Sequence, residues 1–209
     1  MSERARARTN RWIDTCRAMR AQRPSHAAIA IDAIAEDLPL DDASVDASMA
    51  MITIHQWKNA HKGLGELLRV TRGAIVVLTF DRPVLERYWL FEYVPELLSA
   101  ERSRYIALDD LRQILEPPGR RVHIANVPIP VDCTDGIIEA FYARPERFLD
   151  ASVRRSQSSW SFVEEAVQQR FVRQLGADLE NGVWDKRFGS LRMKPSYDGS
   201  LRLVVSRPT

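Results

Sequence analysis

The chain has 209 residues, 45% of them hydrophobic, and a formal net charge of +2. That is long enough for one domain with a full core, residues 1–209, and the charge argues neither for nor against an anionic partner. No apolar run approaches the ~20 residues that span a bilayer. Two cysteines, Cys16 and Cys133, far apart in a chain with no secretory signal pattern, read as free thiols. The cytoplasm is the expected compartment, with no membrane partner.

The charge is unevenly spread. Residues 1–23 hold seven arginines against Glu3 and Asp14, whereas residues 24–57 hold six acids and no Lys or Arg. An Arg-rich start reads either as a solvated terminus or as a nucleic-acid or transit arm. The solvated terminus, with disorder over residues 1–10, is the expectation, and nucleic acid is not an expected partner.

A short apolar segment at residues 11–13 ends at Asp14, and a helix is expected over 16–22, stopped by Pro24. Residues 27–33 read as a short strand. Residues 36–42 are a turn fixed by Pro39. Residues 46–54, near-continuously apolar, read as a strand buried on both faces. His55, Gln56 and Trp57 follow in a loop. Ala60, Leu64, Leu67, Leu68 and Thr71 form one apolar stripe of a helix over 58–72, with Gly73 expected as its left-handed stop. Residues 74–80 (AIVVLTF) are the clearest strand.

Further on, an aromatic-rich helix is expected over 83–98, a short helix over 108–115 and a strand over 121–127. Two short helices are expected over 133–142 and 145–157. A long helix follows over 161–181, with Ser161 and Glu164 as a capping box, and a last strand covers 201–206. The order predicts an α/β fold with a mainly parallel sheet, one antiparallel strand near the end, and a helical lid or substrate insertion over 128–185 before the last strand.

The unit over 35–81 carries a specific pattern. It contains Ala35-Glu36-Asp37-Leu38-Pro39-Leu40, Asp42, Ser44-Val45-Asp46, His55-Gln56-Trp57, Glu66, Arg69-Val70 and Gly73. In order and spacing these residues resemble the class I S-adenosylmethionine-dependent methyltransferases of the type 11 group. Upstream, Asp14-Thr15-Cys16-Arg17-Ala18-Met19 resembles the same family's D-x-S-x-x-M. The resemblance implies a Rossmann-like fold, S-adenosylmethionine as cofactor and methyl transfer to a small-molecule acceptor. It implies Asp14 on the cofactor ribose, Ala35 and Glu36 near the adenine, and Ala50 and Met51 beside the cofactor.

One departure is large. The family's first strand and Gly-rich loop belong about 20 residues before Asp14, where 13 residues without glycine stand. The expectation is an N-terminally truncated sheet whose second and third strands part from the rest. The alternative to a working enzyme is a non-catalytic, methyltransferase-like remnant or interaction partner that does not bind the cofactor. Homo-oligomerisation stays open.

Asp14 is either the ribose acid or a turn residue, and Glu36 either a cofactor contact or a solvated acid. His55 follows the carboxyl end of a strand, where open α/β sheets place ligands, and an ordinary imidazole value would suit a general base. The other reading is a structural histidine. Trp57, Tyr88 and Trp89 are expected to wall a substrate pocket or to join the core. No metal-ligand spacing is present.

Overall fold

A computed structural model describes residues 10–209. Strand β1 (Arg11–Ile13) leads to helix α1 (Arg17–Ala21) and β2 (Ile29–Ile31), then β3 (Ser48–Met51), α2 (Ala60–Val70) and β4 (Ile75–Phe80). Three short helices follow, α3 (Arg82–Leu85), α4 (Leu90–Tyr93) and α5 (Pro95–Arg102), then α6 (Leu108–Leu115), β5 (Arg120–Asn126) and β6 (Ile129–Pro130). Helices α7 (Ala151–Arg155), α8 (Glu165–Glu180) and α9 (Val183–Phe188) fill the insertion, and β7 (Ser196–Tyr197) and β8 (Leu201–Pro208) close the chain. The expected disorder over residues 1–10 falls, apart from Asn10, outside the described residues.

The main sheet has the order β3-β4-β8-β5. β3 and β4 are parallel, and β8 runs antiparallel between β4 and β5. This is the α/β Rossmann-like arrangement, with the one reversed strand where expected. β1 and β2 pair in parallel as a separate two-stranded sheet. Among the described residues no strand joins the two ladders, so one edge of β3 has no ladder partner. Only one face of β3 is covered, because its side chains alternate between the two sides of the sheet. The strand expected to be buried on both faces buries Ala50 but leaves Met49 68% and Met51 46% exposed.

Two cores result. Leu64, Leu67 and Val70 of α2 and Leu111 and Leu115 of α6 cover β4 and β8 through Ile75, Val77 and Val204. A larger aromatic core gathers at the carboxyl end of β4, where Phe80 and Leu201 meet helices α3–α5 and the insertion. The single helix expected over 83–98 is broken into α3, α4 and α5, and Pro95, in the first turn of α5, separates α5 from α4. Residues 133–142 hold only a 3₁₀ turn at Ile138–Phe141. The capping box does not form. Ser161 Oγ donates to the Ser158 carbonyl, and α8 starts after Glu164 with no side-chain cap.

Gly73 has a different task from the one its sequence position suggested. Its φ is not positive; instead a Cβ there would lie 2.2 Å from the Asp46 carbonyl oxygen. Glycine is needed for the close approach of two backbones. Gly65, inside α2, has open space around it. Gly73→Ala is therefore expected to destabilise the fold by about 2–3 kcal/mol, while Gly65→Ala stabilises it by about 0.5–1 kcal/mol through helix propensity. Urea unfolding of the two variants beside the parent checks both signs.

Candidate active site

The candidate site lies at the carboxyl ends of β1, β2 and β3, the edge where parallel sheets present loops to ligands. Asp14 follows β1 directly. Its backbone N–H donates to the Ile31 carbonyl (3.1 Å), and one carboxylate oxygen accepts the Cys16 N–H (2.8 Å). The other carboxylate oxygen has no hydrogen-bond partner among the described residues, so it is free to accept from a ligand hydroxyl. Arg20 grips Asp32, the residue after β2, with two bonds of 2.9 and 2.7 Å. That grip fixes the two strand ends against each other.

The turn after β2 is held from beneath. Glu36 is buried, and its Oε1 accepts the Asn59 N–H at 2.9 Å. Its carboxylate thus anchors the start of α2, and Ala35 presents the half-buried surface of the turn. Ala50 is buried in β3, whereas Met51 stands at the open edge. Ile52, just beyond β3, has φ of 50°, a left-handed backbone that a β-branched residue rarely takes. Its N–H is nevertheless bonded to the Leu78 carbonyl at 2.8 Å. Such strain is held in place by surrounding structure and is common at sites. It turns the chain into the 3₁₀ segment Ile54–Gln56, which carries His55.

His55 lies on a cleft of about 660 Å³ between this segment, α5 with the turn after it, and Phe162 of the insertion. Gln56, Glu96, Ser99, Arg104 and Phe162 share its walls. The imidazole meets the Tyr105 ring at 5.1 Å in a tilted contact. Burial, and then the Arg104 charge, push its pKa down to about 4. The ordinary imidazole value expected of a general base is not kept, because this ring is desolvated.

The aromatic residues divide. Trp57 is half-buried, packs on Gly63 and lines a neighbouring cleft of about 340 Å³ with Lys58, His61 and Arg104. Tyr88 and Trp89 are core residues at 1% and 2% exposure and do not reach either cleft. Trp89 meets Tyr93, Phe148 and Trp184 edge to face. Their burial follows from the insertion, which covers helices α3 and α4. Sequence reasoning missed Arg104, Tyr105 and Phe162, which stand in loops or short turns with no periodic signal. No group of His, Cys, Asp or Glu able to hold a metal occurs among the described residues, and none of the helices in them is long and apolar enough to cross a membrane.

Residues 5–77 match the family described as "Methyltransferase domain". A crystal structure of a candidate methyltransferase from an antibiotic biosynthesis pathway of Anabaena variabilis is 31% identical, with a TM-score of 0.86. The match covers 95% of this chain and 81% of that one. The chain belongs to the class I S-adenosylmethionine-dependent methyltransferases. Two more distant structures share this chain's fold. YcgJ of Bacillus subtilis is 15% identical with a TM-score of 0.52, covering 95% of this chain and 81% of that one. A methyltransferase of Thermotoga maritima is 12% identical with a TM-score of 0.51, covering 94% and 72%. No curated protein matches this sequence.

The depressed His55 value has a consequence for stability. An unfolded imidazole takes its proton near pH 6.5 and the folded one only near 4. Between those values the unfolded chain binds more protons, so stability falls as pH drops from 6.5 towards 4. The loss is at most about 3 kcal/mol by the usual conversion of a pKa shift. His55→Asn should flatten that part of the curve, measured by urea unfolding between pH 4 and 7.

Proposed function

We propose that the protein transfers a methyl group from S-adenosylmethionine to a small-molecule acceptor bound in the cleft beside His55. The observation that carries this reading is the placement of Asp14 and His55. A carboxylate with one oxygen unengaged by any described residue stands at the end of β1, and a neutral imidazole stands on a cleft beyond the end of β3. The 31% identical relative from an antibiotic biosynthesis pathway supports an acceptor of small-molecule type.

The residues present fit the nucleoside half of the cofactor. A carboxylate accepts from two adjacent hydroxyls, so Asp14 suits the ribose diol. Ala35 and the turn held by Glu36 offer small side chains and backbone groups for the adenine side, whereas Ala50 is packed in the core. When bound, the cofactor supplies an activated methyl group. The chain's own contribution is to seat the acceptor and orient its nucleophile, since alignment supplies much of the acceleration in such a transfer. His55, neutral well below pH 7, offers a lone pair to the acceptor's O–H or N–H. Its low basicity suits it to orienting that hydrogen and receiving it only as the new bond forms.

A second reading, a methyltransferase-like protein that binds no cofactor and serves as an interaction partner, is favoured by one observation. Among the described residues no glycine-rich turn lies between the ends of β1 and β3. Calorimetric titration with S-adenosylhomocysteine separates the readings. Saturable binding is expected, weakened by about 1–3 kcal/mol in Asp14→Ala, the range for a hydrogen bond to a charged group. Absence of heat at high-micromolar ligand favours the second reading. His55→Ala should lower turnover by about 10²-fold, within the usual range for a lost proton-handling group, and leave cofactor affinity unchanged. A joint fall in both makes His55 structural.

A further inference from the structure

The backbone brings His55 to the cleft wall, but no hydrogen bond from a described residue holds its ring. The polar side chains around it are engaged elsewhere. Ser99 Oγ–H donates to the Pro95 carbonyl at 3.3 Å and Ser103 Oγ–H to the Ala100 carbonyl at 3.2 Å, each within its own turn. Glu96 is bonded to Arg170 at 2.7 Å. Arg104 is paired with buried Glu101 at 3.7 Å, donates to Ser158 Oγ at 3.0 Å and lies over the Phe162 ring. An imidazole that must present one nitrogen to a ligand is commonly oriented by a hydrogen bond at the other. Here another kind of contact has to set the ring.

That contact is Tyr105. The two rings meet at 5.1 Å between centroids, with their planes tilted by 47°. Tyr105 is only 8% exposed, although it stands in an irregular stretch between α5 and α6. Its second neighbour explains how a loop residue is held firm. Phe80, buried at the end of β4, meets it edge to face at 5.5 Å and 75°. Tyr105 thus bridges the end of β4 and the imidazole. Ring edges and ring faces carry opposite partial charge, so such contacts favour particular angles as well as burying surface. Burial, and then the nearby Glu101 charge, push the Tyr105 hydroxyl's pKa up, so the phenol stays neutral.

We propose, on the reading of His55 as the group that meets the acceptor, that Tyr105 is its positioning residue: braced on Phe80, the Tyr105 ring sets the angle at which the imidazole faces the cleft. The ring performs this task and the hydroxyl does not. Tyr105 is absent from the walls of the His55 cleft and lines the smaller neighbouring one, so it acts through His55 and not on the acceptor. The division of labour is clear. The strained turn at Ile52 brings the His55 backbone to the site, and Tyr105 stops the side chain from turning about its own torsions. A displacement of about an ångström at a reacting group is enough to lose alignment.

NMR of the full chain, labelled in its four histidines, reads the imidazole directly without cofactor or acceptor. Spectra are taken at pH 7, where the His55 ring is neutral, and His55→Asn assigns its signal. In the parent the ring order parameter of His55 is expected near the rigid value of about 0.85. Tyr105→Phe should keep it, and Tyr105→Leu should drop it below about 0.6. The His26 and His123 signals should stay as they are in both variants. Comparable thermal midpoints show that the variants are folded, and Tyr105→Met replaces the Leu variant if that one does not fold. A parent imidazole that is already mobile, a Leu variant whose His55 ring stays as ordered as the parent's, or a Phe variant as loose as the Leu variant overturns the proposal. Failure of S-adenosylhomocysteine binding bears on the methyl-transfer reading and leaves this result standing, and the reverse holds too.

Discussion

The site depends on the Arg69 guanidinium. It donates to Glu66 through Nε and Nη2, each at 2.7 Å, to the Leu38 and Leu40 carbonyls at 3.1 and 2.8 Å, and to Asp42 at 2.7 Å. Glu66 in turn accepts the Leu38 N–H at 2.8 Å. The Arg69 bonds, outweighing partial burial, hold that carboxyl down at about 2. One side chain of α2 thereby satisfies both carbonyls of a turn that has no regular structure of its own. A buried turn with unpaired carbonyls would be costly, and the planar fork of arginine meets several acceptors at once as a lysine could not. Glu36, bonded to Asn59, fastens the other end of the same turn. Together they set where β3 begins, and hence where Ile52 turns the chain and where His55 stands.

The opposite end of the sheet is joined to the insertion by a second buried acid. Glu139 is fully buried and accepts the Ser200 N–H and Oγ–H, the latter at 2.7 Å. Burial lifts its pKa, and the Ser200 bonds work against that lift. A side chain at Gly199 would meet the Glu139 oxygens at 2.6 and 2.7 Å. The residue before β8 is therefore fixed to the insertion, and Asp81, after β4, accepts from Arg202 of β8 at 3.1 Å. The aromatic core then fills the space between. Tyr142 stacks on Tyr197, and Trp184 and Trp160 are almost wholly buried. The insertion packs against the sheet as part of the fold, and its contribution to the cleft is the 3₁₀ segment Ser158–Phe162 resting on α5.

Much of this was legible in the sequence where a local rule governs. The run AIVVLTF became the central strand because every residue but one could be apolar there, and residues 108–115 became a helix with both acids in its first turn. The spaced pattern from Ala35 to Gly73 identified the family. Three of its polar members, Glu36, Glu66 and Arg69, hold backbone and each other, so the motif is visible because it is structural. Tertiary context decided the rest. Nothing local tells that Gly73 faces the Asp46 carbonyl, that Met49 lies on an uncovered face of β3, or that Trp89 is covered by Trp184 and Phe148. Arg104 was unreadable for the same reason. Its place comes from Phe162 and His55, one distant in sequence on each side, and from its pairing with buried Glu101.

The two halves of the candidate site stand on different ladders, and this shapes what the fold can do. Asp14 belongs to the β1–β2 sheet and His55 to the end of β3, and no hydrogen-bonded ladder among the described residues links them. The connection is made by packing. Ile13, next to Asp14, lies against the core cluster that contains Leu38, Ala50 and Leu64. Apolar contact is non-directional and fixes separation less sharply than a ladder does. Methyl transfer, by contrast, is sensitive to displacements of about an ångström between the reacting groups. The precision of donor against acceptor must then come from what is directional nearby: the Arg20–Asp32 pair at the ends of β1 and β2, the Glu36–Asn59 bond between the turn and α2, and the Ile52–Leu78 bond at the strained end of β3. These fastenings lie close around the candidate site, where a continuous sheet would have needed fewer.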